Sequence, residues 1–384
     1  MNKSWKKIRE IILQLRGLTT IGIADILGSV IAAIFWFYMA RMLGEEQYGL
    51  ISYLLAITGI ASAVSLIGSE NTLQVYTAKN VKIQATVYFV ALITALFASI
   101  VIFFIFHNLG VSILVTGYVI FGLAVSELLG RKLYTVYSKY VITQKILMIG
   151  IAVSLYYLIG ADGIILGMAL SFLPYTVRIY KAFQGSRIDF SLIKPRFGFM
   201  MNSYVLSLSG VAIRSTDKLI IVQMLGLTLL GNYQLGIQFL EILQILPAII
   251  YKYILPHDAI GNTNKKLKKV SIYVTIGLVI LVFSLSPIIV PIMFPKFTKA
   301  IEVIQVSSLA VIPSSISVAY ISKFLANEKS RIVLASSGLY FVVQVIAIVL
   351  LGKLFGIIGV TSALVLAGIA QTLFLVIVNR FKGN

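Results

Sequence analysis

Three charged residues, Arg214, Asp217 and Lys218, interrupt an otherwise apolar stretch that runs from Val205 to Leu225. On a helix their spacings of three and four put them on one face, a turn apart. One charge at the centre of a membrane helix costs about 2.5–3.5 kcal/mol on insertion scales, so three cost about 7.5–10.5 kcal/mol, against roughly 3–6 kcal/mol returned by the aliphatic residues around them. Such a helix must turn its charged face toward protein or a watery cavity. One acid cannot neutralise two bases, so the face stays cationic and suits an anion, of which a lipid pyrophosphate is one. The competing use of the same residues is a buried structural ion pair between Arg214 and Asp217. Three more acids, Asp25, Glu127 and Glu241, fall in other apolar stretches, and Arg131 offers Glu127 a partner one turn on.

Covalent chemistry finds little to work with. The chain has no glycine-rich phosphate loop with its lysine and no paired-histidine metal motif, and its two histidines, His107 and His257, fall in loops. It has no cysteine, which excludes disulfides and thiolate metal sites. The expectation is no catalytic residue, no metal, no organic cofactor, and at most a coupling proton or sodium ion.

The elements that must carry these residues are membrane helices. The 384 residues are 59% hydrophobic and 12% charged, with a mean hydropathy of +0.99, outside the range of soluble domains. Apolar runs long enough to cross a hydrocarbon core of roughly 30 Å recur throughout, and they lack the period-two alternation of barrel strands. The fold class is therefore all-α, with about twelve transmembrane helices at 18–40, 50–68, 87–106, 112–130, 145–159, 163–180, 203–225, 232–254, 271–291, 302–325, 332–351 and 356–378. Pro174, Pro247 and Pro313 lie inside these spans and permit kinks. Ahead of the first span, a basic stretch with Trp5, Ile8, Ile11 and Ile12 reads as a segment on the membrane surface rather than a signal peptide.

Lysine and arginine gather in cytoplasmic loops. With the N-terminus inside, only Arg41, Lys296, Lys299 and Lys353 fall outside and only Arg214 and Lys218 fall within a span; the rest of the 32 basic residues are cytoplasmic. This places the chain in the cell membrane with both termini inside. The net charge of +19 is spread over short loops, not clustered on a soluble face, so nucleic acid is not an expected partner.

A weak repeat divides the chain. Met42-Leu43-Gly44 with Gly49 recurs as Met224-Leu225-Gly226 with Gly231, and Gly160 with Gly163 recurs as Gly356 with Gly359. The copies are an even number of helices apart, so the halves, 1–201 and 202–384, point the same way, as in parallel-repeat transporters.

The stretch Ala40-Arg41-Met42-Leu43-Gly44-Glu45-Glu46-Gln47-Tyr48-Gly49, continued by Leu66-Ile67-Gly68 and Tyr76-Thr77-Ala78, resembles the first hairpin and second helix of the Wzx-type polysaccharide-transporter flippases. These belong to the multidrug/oligosaccharidyl-lipid/polysaccharide exporter superfamily. Thr216-Asp217-Lys218-Leu219-Ile220-Ile221, with Gly231-Asn232-Tyr233, is similar to that family's seventh helix. The resemblance implies two six-helix lobes around a central cleft faced by the first, second, seventh and eighth helices. It would put Asp25 and Glu241 at the cleft, as partners of Arg214 or Lys218 or as coupling acids. It implies translocation of a lipid-linked oligosaccharide or related anionic glycolipid to the outer leaflet, with membrane lipids and glycosyltransferases or a polymerase of the same pathway as partners. A cation-coupled drug exporter of the same fold, and a non-transporting scaffold of an envelope-synthesis complex, are the alternatives.

Overall fold

The computed structural model describes residues 3–259 and 265–382, and among them every regular element is helical. The side chains of the tail up to Leu18, with Trp5, Ile8, Ile11 and Ile12, and those of His257 and Lys265, lie outside the described residues, as do residues 260–264 of the basic stretch that follows. The helices are α1 (Lys3–Leu43), α2 (Glu45–Leu66), α3 (Ser69–Ala78), α4 (Gln84–Phe106), α5 (Leu109–Gly130), α6 (Tyr134–Ile159), α7 (Ala161–Leu170), α8 (Thr176–Gly185), α9 (Phe197–Leu225), α10 (Leu227–Ala259), α11 (Lys265–Met293), α12 (Ala300–Leu309), α13 (Val311–Ala326) and α14 (Ser330–Lys382).

Ten stretches among the described residues are long and apolar enough to cross a membrane. One of them, α14, has 53 residues and breaks at Gly356 (φ 59°, ψ −135°), which makes it two crossings. The 29-residue α9 is not among the ten; Arg214, Asp217 and Lys218 lower its apolar character, although its length suffices. With α9 added and α14 counted twice, the crossings match the sequence expectation.

The chain forms two compact units: Met1–Phe35 with Leu54–Ser215, and Trp36–Tyr53 with Thr216–Asn384. In the first, α3, α4, α5 and α8 bury a core that includes Leu73, Val87, Tyr88, Ala91, Val119 and Leu123. Small residues such as Ala91 and Ala95 let α4 approach its neighbours, and polar side chains bond across helices, as Ser99 does with Thr116 at 2.9 Å. At one end of α5, Glu127 is fully buried between Arg131 and Arg178, each 2.8 Å from Oε1, while the Tyr88 hydroxyl donates to Oε2 at 3.2 Å.

In the second unit, Ile221, Tyr233, Ile237, Val303, Val311, Ile348 and Val360 form the core. The hairpin Trp36–Tyr53 docks here through Tyr48, whose ring stands edge-on to Trp36 at 6.0 Å and to Phe297 at 5.8 Å. The repeated glycines meet at this place. A methyl at Gly49 would overlap the carbonyl of Leu227, and a methyl at Gly231 would overlap the carbonyl of Glu45. Leu227 and Gly231 are the repeat counterparts of Glu45 and Gly49, so the crossing of α2 and α10 is reciprocal, and only a residue without Cβ lets the backbones come so close. The preceding turns agree as well: Gly44 and Gly226 each link two helices with φ of 78° and 85°.

Some boundaries differ from the sequence reading. The fifth span begins at Tyr134, not 145, because Tyr137, Val141 and Gln144 bury one face of α6 although the polar residues beside them depress its hydropathy. Lys139 is therefore a helical rather than a loop residue, Lys145 lies in the middle of α6 rather than at its start, and Arg178 sits buried in α8. Pro174 lies in the 3-10 turn between α7 and α8, and Pro313 in the first turn of α13, so both mark breaks between helices rather than bends within one. Helix α1 is continuous from Lys3 into the first span.

Candidate functional site

A cavity of about 590 Å³ opens in the first unit, and all its lining residues belong to that unit. Arg214 enters it from α9 and Lys145 from α6; Glu70 and Asn71 come from α3, Tyr118 and Phe121 from α5. Hydroxyl and amide groups of Ser62, Ser207 and Gln144 complete the polar wall. Gln144 is held in place by a 2.9 Å bond from its Nε2 to Ser171 Oγ, and Phe172 packs edge-on to Tyr118 at 5.6 Å.

The local sequence explains why charge collects here. Helix α3 is short and follows a left-handed pair, Ile67 and Gly68, that redirects the chain after the second span. The redirected helix carries Glu70 in its first turn against α5, where Gly122 leaves room for the carboxylate: a methyl on Gly122 would overlap Oε1. Burial pushes the Glu70 carboxyl above the usual carboxylate range, while the charge of Arg214 pulls it the other way. Arg214 is exposed to the cavity and Lys145 is half-buried. The cavity thus holds two bases and one acid, and Glu70 is within electrostatic reach of Arg214.

The other residues singled out from the sequence have different surroundings. The division between units runs through α9 between Ser215 and Thr216, so Asp217 and Lys218 belong to the second unit. Asp217 is buried there, accepting a 2.7 Å bond from the Tyr233 hydroxyl, with Lys218 Nζ 3.5 Å from its other oxygen. Asp25, in α1, accepts a 2.6 Å bond from the Tyr137 hydroxyl of α6. Glu241, in α10, is exposed, and its charge reaches the buried Tyr48. Glu127, paired with Arg131 as the spacing implied, has Arg178 as a second partner.

Sequence reasoning passed over Glu70 and Lys145. Glu70 stands just beyond the second apolar run and Lys145 at the first residue of the fifth, and the redirected α3 and the extended α6 put them in one cavity wall with Arg214. The signal available was an acid immediately after Ile67-Gly68-Ser69, inside a stretch that hydropathy reads as a loop.

Residues 14–135 match a family model described as polysaccharide biosynthesis protein. No curated protein matches the sequence. Among solved structures, the chain is similar to the lipid II flippase MurJ in an inward closed conformation, with a TM-score of 0.75 and 14% identity over 94% of this chain and 87% of that one. It is also similar to an inward-facing MATE-family multidrug resistance transporter of the MOP superfamily, with a TM-score of 0.64 and 13% identity over 96% and 99% of the two chains. The eukaryotic MATE transporter AtDTX14 is similar as well, with a TM-score of 0.56 and 14% identity over 95% of each. At these identities the likeness establishes the fold, which this chain shares with these transporters.

Proposed function

We propose that this chain is a flippase that carries a lipid-linked oligosaccharide, or a related anionic glycolipid, from the cytoplasmic to the outer leaflet of the cell membrane during polysaccharide or envelope synthesis. The observation that carries the reading is the excess of base over acid in the cavity, Arg214 and Lys145 against Glu70. In a site walled by helices a charge is screened less than in water, so the excess attracts an anionic headgroup. Arginine grips phosphate oxygens through two parallel N–H bonds, whereas lysine acts as a point charge, which makes Arg214 the principal contact and Lys145 its support. Lys218 and Asp217, the other charges of α9, are further candidates for contact with the substrate. Asp25 and Glu241 are the candidates for a coupling proton or sodium ion.

In this reading both termini are cytoplasmic, the headgroup enters the cavity while its lipid tail stays in the bilayer, and the transporter then exposes the cavity to the other side. Glycosyltransferases or a polymerase of the same pathway supply and consume the cargo. The MATE-like fold also fits a cation-coupled drug exporter, but a cationic cavity disfavours cationic drugs. Protein-dependent movement of a labelled pyrophosphate-linked sugar lipid across vesicles tests the choice: movement of the sugar lipid and not of a lipophilic cation supports the flippase, and the reverse supports the exporter.

A further inference from the structure

Glu70 is the feature of the cavity that headgroup binding alone does not explain. An ionised carboxylate in the same cavity weakens an anion site, yet α5 is notched at Gly122 to receive it. The charged and titratable groups that line the cavity with it come from three helices: Arg214 from α9, whose charge acts on Glu70, Lys145 from α6 and Tyr118 from α5. The α2 lining (Gly59, Ser62, Ala63 and Leu66) and Phe172 from the turn after α7 carry no titratable group, while Tyr88 of the neighbouring α4 is turned to Glu127. With Glu70 ionised the three charges sum to a single positive charge. With Glu70 protonated they sum to two, which matches a pyrophosphate diester, whose two phosphates each carry one negative charge.

We propose that Glu70 is the proton-linked counter-ion of the cavity: it balances Arg214 and Lys145 when the cavity is empty and takes up a proton when a dianionic headgroup enters. The inference rests on the headgroup reading above. Its physical basis is mutual repulsion, because a phosphate brought near an ionised carboxylate in a weakly screened site favours the neutral acid. By linkage the converse holds, and protonation of Glu70 tightens anion binding. Headgroup and proton would then enter together, and the pH on the loading side would set the affinity. The notch at Gly122 keeps the carboxylate at the cavity wall in both states.

The test is binding of a short-prenyl pyrophosphoryl sugar, a diester that does not itself titrate between about pH 5 and pH 8, to the purified full-length protein in detergent. Titration calorimetry in buffers of different ionisation enthalpy reads affinity and proton uptake together. Wild type should bind at least about tenfold more tightly at the acid end of that range and take up protons on binding. Glu70→Gln should bind with the acid-end affinity at every pH and take up none. Gly122→Ala keeps every charge but displaces the carboxylate, and should shift the midpoint of the pH profile, which a purely structural glycine would not do. A pH-independent wild type, or a Glu70→Gln protein that keeps the slope and the proton uptake, overturns the inference while leaving the headgroup reading intact. Binding unaffected by Arg214→Ala, or no binding by wild type, overturns the headgroup reading and this inference with it.

Discussion

Two of the membrane-embedded ionic groups show how surroundings decide a role. Glu127 has no exposed side-chain area, and Arg178 has 7%, so this pair is closed to any ligand. Removing one member of a buried pair strands the other, at a cost of roughly 3–5 kcal/mol. Glu127→Ala should therefore lower the melting temperature of the detergent-solubilised protein markedly, whereas Arg187→Ala, in an exposed loop, should leave it unchanged. Arg214, by contrast, is exposed to a cavity, and its removal should spare stability while weakening anion binding. The Glu127–Arg131 pair was legible from its spacing of four, because neighbours on a helix face are fixed by the helix itself. Arg178 was not, since its approach to Glu127 depends on how α8 packs against α5, and no local pattern encodes that. Glu70 and Lys145 escaped for the same reason.

Hydropathy located the apolar helices well and their ends poorly. Helix α6 extends to Tyr134 because burial of Tyr137, Val141 and Gln144 offsets its polar content, a tertiary effect that a hydropathy window cannot register. The glycine repeat was more informative, since a residue that must lack a Cβ records a contact. Gly49 and Gly231 each face a carbonyl of the opposite helix in the second unit, and side chains there would force α2 and α10 apart. Gly231→Val should sharply reduce the yield of folded protein in a size-exclusion assay. Gly185→Ala, at a glycine with open space around it, should not.

For the whole molecule, charge asymmetry and repeat parity make commitments that the fold alone leaves open. Both termini and the segment Lys265 to Lys269 should face the cytoplasm, and Glu45, His107 and Lys296 the outside. The chain has no cysteine, so single cysteines can be introduced at these positions and labelled with an impermeant reagent without background. Labelling of positions 45 and 266 from the same side would contradict the topology. The halves 1–201 and 202–384 should also superpose by rotation about the membrane normal in an experimental structure, and a match only in inverted orientation would contradict the parallel repeat. The central claim, that Arg214 receives an anionic headgroup in transit, is tested most directly by translocation of a labelled pyrophosphate-linked sugar lipid in reconstituted vesicles. Arg214→Ala should abolish or greatly reduce translocation at normal levels of inserted protein, Arg214→Lys should retain part of it, and Arg187→Ala should transport fully. Full transport by Arg214→Ala, or complete rescue by adding Asp217→Ala to it, would show that Arg214 serves only as a structural partner and would contradict the account.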